Sequence, residues 1–136
     1  MAVKVKINLD LKDQIKEKIA RQLNDTVLAL HAAVTPLTPA QKSKHGKGTR
    51  KGYTGGLLRR SWGIIQATGK GEEITAYLYN NVHYAAHVNF GHRTRYGTGK
   101  KKPKKNGKKY VEGQHFLERA VEQIGLDPRK LNKNFR

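Results

Sequence analysis

An apolar residue recurs at every third or fourth position from Leu11 to Val34. This spacing places the apolar side chains along one side of an α-helix and predicts a long amphipathic helix. Asp10 can cap its start, and Thr35-Pro36 is expected to end it, since the residue before a proline avoids helical geometry. A helix of roughly 24 residues is ~36 Å long. We therefore expect one of its ends to project or to pack on a neighbouring subunit.

Strand patterns follow in the middle of the chain. Residues 74–79 alternate apolar and polar side chains with a period of two, and residues 61–68 form a second strand-like run. The turn Gly69-Lys70-Gly71-Glu72 between them predicts a β-hairpin. Further along the chain, the pattern predicts a short helix over 83–90 that Gly91 ends, a strand at 110–111 and an amphipathic helix over 114–124.

These elements predict an α+β fold, with a long N-terminal helix and a C-terminal helix packed on a small, mainly antiparallel sheet. A single domain is expected over residues 1–127, followed by a polar tail at 128–136. The chain contains no cysteine, so neither disulfides nor cysteine-based metal sites are expected. It also has no apolar run long enough to resemble a signal peptide or a membrane span, which predicts a soluble protein made in the cytosol.

The charge is large and unevenly distributed. Lys and Arg number 28 against 10 Asp and Glu, a net charge of +18, and no acidic residue lies between Thr26 and Gly71 or between Ile74 and Val111. Two loops, at about 38–54 and 92–109, hold most of the excess, and such a field suits a polyanion or an acidic protein surface. The residues expected to contact a partner or DNA are Lys42, Lys44, Lys47, Arg50, Lys51, Arg93, Arg95, Lys100, Lys101, Lys102, Lys104, Lys105, Lys108 and Lys109.

Catalytic and metal-binding patterns are weak. His83 and His87 are four residues apart and could share one helix face, with His92 nearby, but no carboxylate accompanies them. Acidic residues are too scarce for general acid–base pairs, and neither of the two serines lies in a nucleophile elbow. We therefore expect a protein without catalytic activity, metal or cofactor.

A nucleic-acid-binding protein is the main alternative, because the isoelectric point is near 10.3 and lysines cluster in one segment. Against it, the sequence has neither a zinc finger nor an aromatic strand like that of an RNA-recognition sheet. Tyr96 and Tyr110 alone flank the lysine cluster. This pattern predicts attraction by charge without base readout.

Several short motifs occur in a characteristic order. Thr35-Pro36 precedes Thr54-Gly55-Gly56-Leu57-Leu58-Arg59-Arg60-Ser61-Trp62; after the hairpin come Tyr84-Ala85-Ala86-His87-Val88-Asn89-Phe90-Gly91 and, later, His115-Phe116-Leu117. Together they resemble the tail-completion, or head–tail joining, family of long-tailed bacteriophages over Leu11 to Ile124. Asn89 stands where that family usually has Glu, His115 where it usually has Pro, and the segment 38–53 is longer.

The resemblance implies a non-enzymatic structural protein of the phage neck. Such proteins form a ring, typically six-fold, between the head connector and the tail tube or tail terminator protein, around the channel through which DNA leaves. The implied location is the virion, at the head–tail interface, and the host cytoplasm during assembly. The basic loops would contact either these protein neighbours or double-stranded DNA in the channel, with no membrane partner.

Within the motifs, we expect most residues to hold the loops rather than to contact a partner. Arg59 and Arg60 are the exceptions, for which the prediction is ion pairs between subunits. The remaining scaffold residues, of which the large apolar ones are expected in the core, are Thr54, Gly55, Leu57, Ser61, Trp62, Tyr84, Phe90, Gly91 and Phe116.

Overall fold

The computed structural model describes residues 1–8, 13–40, 56–94 and 108–128. It confirms the predicted α+β class, with helices packed around a small antiparallel sheet. None of the helices in these ranges is both long and apolar enough to cross a membrane. The elements in chain order are β1 (Ala2–Asn8), α1 (Asp13–Leu37), α2 (Leu57–Arg60), β2 (Trp62–Ile65), β3 (Glu73–Asn80), α3 (Ala85–Phe90), β4 (Gly91–Arg93), β5 (Tyr110–Glu112) and α4 (Phe116–Gln123).

The main sheet has three antiparallel strands in the order β1-β3-β2. Side chains of a strand alternate between its two faces, and along β3 the buried members are Ile74, Ala76, Leu78 and Asn80. This inner face packs against α1, whose buried residues include Leu23, Val27, Leu30 and Val34. The predicted hairpin of β2 and β3 is confirmed, and its strands are paired from Trp62↔Asn80 to Ile65↔Tyr77.

The first strand is an addition that the sequence analysis missed. β1 pairs along its whole length with β3, from Ala2↔Tyr79 to Asn8↔Glu73. Residues 3–7 alternate Val, Lys, Val, Lys and Ile, a period-two pattern that would have indicated a strand. Val3 is buried, which is the expected result for one side of such a strand.

The end of α1 corrects the prediction at Pro36, because the helix continues to Leu37. A proline lacks the N–H that would bond to the carbonyl four residues earlier, which is costly within a helix. Here the proline lies in the last turn of the helix. Helical hydrogen bonding to the carbonyl four residues earlier resumes two residues later, where the Thr38 N–H donates to the Val34 carbonyl at 2.9 Å. The proposed cap Asp10 and the first stripe residue Leu11 lie outside the described residues.

The C-terminal helix, α4, packs against α1, and its Phe116 is fully buried. The rings of Phe116 and Trp62 meet edge to face with 6.1 Å between centroids. The expectation that Leu57 is a core residue is wrong, because its side chain is 42% exposed while that of Leu58 is 4% exposed. In a single helical turn, consecutive side chains point in different directions, so only one of the two can face the core.

Candidate assembly site: the stems of two basic segments

The two described residues that flank the first basic segment, Ala40 and Gly56, lie at one place in the structure. A Cβ atom on Gly56 would lie 3.8 Å from the Cβ atom of Ala40, so the chain positions on either side of residues 41–55 are adjacent. We call this closure, formed by residues 38–40 and 56–62, the helical stem. The Arg59 Nε donates to the Thr38 carbonyl at 2.8 Å, and its Nη2 donates to the Pro36 carbonyl at 3.4 Å. A cation there also complements the negative end of the α1 dipole.

Two buried polar side chains hold the helical stem to the sheet. Thr38 is fully buried, and its Oγ1 accepts a hydrogen bond from the Trp62 indole N–H at 2.8 Å. Asn80, at the end of β3, donates from Nδ2 to the Leu58 carbonyl at 2.8 Å and accepts from the Val82 N–H at 3.1 Å. Since a buried polar group without a partner costs free energy, these bonds fix α2 relative to both α1 and the sheet.

The second basic segment also has a closed base. Strands β4 and β5 pair antiparallel, with His92 opposite Val111 and Arg93 opposite Tyr110. Beyond the ladder, the Thr94 N–H donates to the Lys109 carbonyl at 3.0 Å, and Thr94 Oγ1 donates to the Lys108 carbonyl at 2.6 Å. We call residues 91–94 and 108–113 the ribbon stem. It brings together the two chain positions between which residues 95–107 lie.

The backbone is closely packed at the end of the ribbon stem that joins α3. Gly91 has φ 84° and ψ 170°, a conformation almost restricted to glycine. A Cβ atom there would lie 2.5 Å from the Tyr110 hydroxyl and 2.6 Å from the Val111 carbonyl oxygen. Gly113 lies just as tightly against the backbone of Asn89 and Phe90. Gly91 therefore ends α3, as predicted, and also lets the two strands of the ribbon meet.

Asn89 connects the ribbon stem to α4. It is completely buried, its Oδ1 accepts from the Leu117 N–H at 3.0 Å, and its Nδ2 donates to Glu118 Oε2 at 2.9 Å. The first N–H groups of a helix have no partner within the helix, so Asn89 supplies one from outside. His115, the residue before α4, has φ 47°, a value that proline cannot adopt. Asn89 and His115 thus lie in one structural unit.

A continuous series of contacts joins the two stems. Thr38 binds Trp62, Trp62 packs on Phe116, and the residue after Phe116 is held by Asn89, next to the ribbon. The motif stretches that are far apart in the sequence therefore form one connected framework. The sequence analysis assigned no structural role to Thr38 or Asn89. A polar residue within the apolar run of α3 is the signal that would have pointed to Asn89.

Of the predicted contact residues, Arg93, Lys108 and Lys109 lie in the ribbon stem with exposed side chains. Arg60 is exposed on α2, whereas Arg59 is partly buried by its bonds within the chain, and the subunit contact of both stays a prediction. The remaining members lie outside the described residues: Lys42, Lys44, Lys47, Arg50, Lys51, Arg95, Lys100, Lys101, Lys102, Lys104 and Lys105.

Most scaffold residues have clear contacts. Ser61 Oγ donates to the Leu57 carbonyl at 2.6 Å, Trp62 is 7% exposed, and Tyr84 and Phe90 are partly buried. Thr54 and Gly55 fall outside the described residues.

The histidines are arranged differently from the predicted pair. His83 stacks edge to face on Tyr84, whereas the His87 ring lies 5.5 Å from that of His92. The buried Nδ1 of His92 has no hydrogen-bond partner among the described residues. Within the same ranges, no group of three or more potential ligands could hold a metal ion.

Comparison with known proteins found no matching family profile, no matching curated protein and no matching solved structure.

Proposed function

We propose that this chain is a structural protein of a phage head–tail joint, which forms a ring, typically of six copies, around the DNA channel. The observation that carries the proposal is the pair of closed stems. The motifs that resemble the tail-completion family lie at or between these stems, and both basic segments begin and end there. A partner that binds the two cationic segments would thus be connected to the framework through both stems.

The partners of the basic segments are the acidic surfaces of the head connector and of the tail tube or terminator protein. DNA in the channel must slide during ejection. Each phosphate neutralised on a duplex changes the salt exponent of binding by roughly 0.9, so a ring of lysines on DNA would hold it tightly at low salt. Such binding would oppose passage, which favours protein surfaces over DNA.

The isolated chain is expected to be monomeric or weakly associated and to form its ring on a partner surface. At +18, copies of the chain repel one another, and ordering of long segments costs conformational entropy. Equilibrium ultracentrifugation at moderate salt tests this expectation. A stable hexamer at low micromolar concentration without partners would contradict it.

The first experiment replaces residues 97–107 with a single glycine. Because the Thr94 bonds close the ribbon below this segment, the variant should fold and unfold like the parent chain. It should fail to join heads to tails in an assembly assay with the phage that encodes the chain. If phage that encode the variant still form infectious particles, residues 97–107 are not required for head–tail joining.

The second experiment separates protein contact from DNA contact by charge removal. Lys108→Gln with Lys109→Gln alters the ribbon stem, and Lys18→Gln with Lys70→Gln is the matched control, since all four side chains are exposed. A larger set changes Lys100, Lys101, Lys104 and Lys105. Loss of joining in the ribbon variants supports a protein partner, whereas normal joining with altered DNA retention or ejection would identify DNA instead.

A further inference from the structure

The side of the main sheet that faces away from α1 carries tyrosines and lysines. Strand alternation and the ladder register bring together six residues that we call the outer face: Lys4, Lys6, Gly63, Ile65, Tyr77 and Tyr79. Ile65 is 54% exposed, and both tyrosines are partly exposed on the central strand. Tyr77 and Tyr79 lie two positions apart on the central strand, so both rings are on this face.

Gly63 determines how the Tyr79 ring lies. The two residues are directly opposite each other in the β2–β3 ladder. A Cβ atom at position 63 would be 2.5 Å from Tyr79 Cζ and 2.6 Å from its hydroxyl oxygen. The ring therefore leans over the backbone of β2 in the space that a side chain would occupy. An aromatic ring that lies along a sheet offers a surface on which a planar group can stack.

Positive charge lies beside the rings. The Lys4 ammonium is 5.7 Å from the centroid of the Tyr77 ring, a cation–π distance. Toward the other end of the face, Lys6 forms an ion pair with Glu73, and this contact lowers the pKa of the Glu73 carboxyl group. The negative charge of Glu73 is therefore balanced by the positive charge of Lys6. An anionic backbone that follows β1 would thus meet Lys4 while its planar groups reach Tyr77 and Tyr79.

We propose that the outer face binds single-stranded nucleic acid, with bases stacked on Tyr77 and Tyr79 and backbone phosphates near Lys4. In a duplex the bases are already stacked on one another, so their faces are not open to the two tyrosine rings. Side chains two positions apart on a strand are separated by ~6.6 Å, which accommodates two unstacked neighbouring bases. This activity is separate from the head–tail role and does not depend on it.

The test measures fluorescence anisotropy of a labelled 12-nucleotide oligo-dT and a 12-base-pair duplex at about 0.15 M salt, where contacts by charge alone weaken. The variants are Tyr77→Leu, Tyr79→Leu and the double change. Leu28→Ala is the control, since Leu28 is 47% exposed on α1, outside this face. We expect each single variant to bind oligo-dT about tenfold more weakly, while its duplex affinity and that of the control stay unchanged.

Photocrosslinking gives a second, positional readout on the unmodified chain. An oligo-dT with 5-iodouracil should crosslink to the peptide that contains Tyr77 and Tyr79. Three results would overturn the proposal: equal loss of single-strand and duplex binding, no loss for either, or crosslinks confined to the lysine segment. A change in self-association of the tyrosine variants with unchanged oligo-dT binding would assign the outer face to a second copy and would also overturn it.

Discussion

The helical stem is closed mainly by side chains, whereas the ribbon stem is closed mainly by backbone contacts. At the first, the Arg59 guanidinium and the Trp62 indole bind carbonyl and hydroxyl oxygens near the end of α1. At the second, strand pairing and the close approach of Gly91 to β5 leave no room for a Cβ atom. Removing one side-chain hydrogen bond lowers the free energy of unfolding only modestly. A methyl group added where two backbones touch has no space and forces the strands apart. The ribbon stem should therefore be the more sensitive of the two to substitution.

The largest effect is expected for Gly91→Ala. The new methyl group would be attached at a φ of +84° and would meet backbone atoms of β5. We expect the free energy of unfolding to fall by at least about 3 kcal/mol, measured by urea denaturation. Gly71→Ala is the matched control, because Gly71 also has positive φ (+99°) but a Cβ atom there would have nothing within 4 Å. Equal costs at the two positions would show that close packing does not distinguish the ribbon stem.

Asn89 gives the next largest effect. Asn89→Ala leaves the Leu117 N–H without its partner and should cost about 2–3 kcal/mol. Asn89→Asp keeps that acceptor but places a second carboxylate beside Glu118, so one pKa of the new pair should rise. The folded state then binds protons more readily than the unfolded state, and the deficit of the Asp variant should shrink as the pH falls from 7 to 4. A deficit that is independent of pH would contradict this account.

Within the helical stem, Thr38→Val tests the buried bond to Trp62. The change removes the hydroxyl acceptor and should cost about 1–2 kcal/mol, less than the changes at Gly91 and Asn89. The cost should be smaller when Trp62 is already Phe, since that ring has no N–H to leave unpaired. A double-mutant cycle from urea denaturation measures the coupling. Additive costs would mean that the two residues act separately.

Arg59→Met should have a smaller effect still, about 1 kcal/mol, because the apolar part of the side chain is kept and the guanidinium is only partly buried. Hydrogen exchange should become faster at the amides of residues 37, 38 and 40, where Arg59 ties the end of α1. Arg21→Met, on the exposed side of α1, is the control and should leave exchange unchanged. An unaltered exchange pattern for Arg59→Met, combined with loss of the proposed head–tail joining, would favour the subunit contact over the role within the chain.

The smallest effect is expected away from both stems, at the exposed ion pair of Lys6 and Glu73. The Lys6 ammonium lowers the pKa of the Glu73 carboxyl, so its small stabilisation is present above the pKa of the unfolded chain. It is lost as the pH falls through the folded value. Glu73→Gln should therefore differ slightly from the parent at pH 7 and converge with it under acid conditions, as followed by thermal unfolding. Exposed ion pairs contribute little to the free energy of unfolding. The change in stability of this variant is therefore the reference against which those of the stem variants are compared.

The elements that hydrophobic periodicity defines were predictable, and those that depend on partners distant in sequence were not. The stripe of α1 and the alternation of β3 each follow from local spacing. The roles of Asn89 and Thr38 depend on residues 28 and 24 positions away; a local pattern can mark Asn89 as unusual, but it does not identify these partners. The tyrosines of the outer face were visible in the alternation of β3, but their significance depends on Gly63 and on β1.

The register of β1 with β3 has a consequence for the order of folding. Ala2 pairs with Tyr79, so the strand that is synthesised first lacks its partner until almost 80 residues have followed. At bacterial and eukaryotic translation rates this interval lasts roughly 4–15 s, far longer than the formation of a helix. β1 should therefore be the last strand to join the sheet. During that wait, we expect Lys4 and Lys6, which alternate with its apolar residues, to oppose aggregation of the unpaired strand, since charged residues in a strand disfavour edge-to-edge pairing.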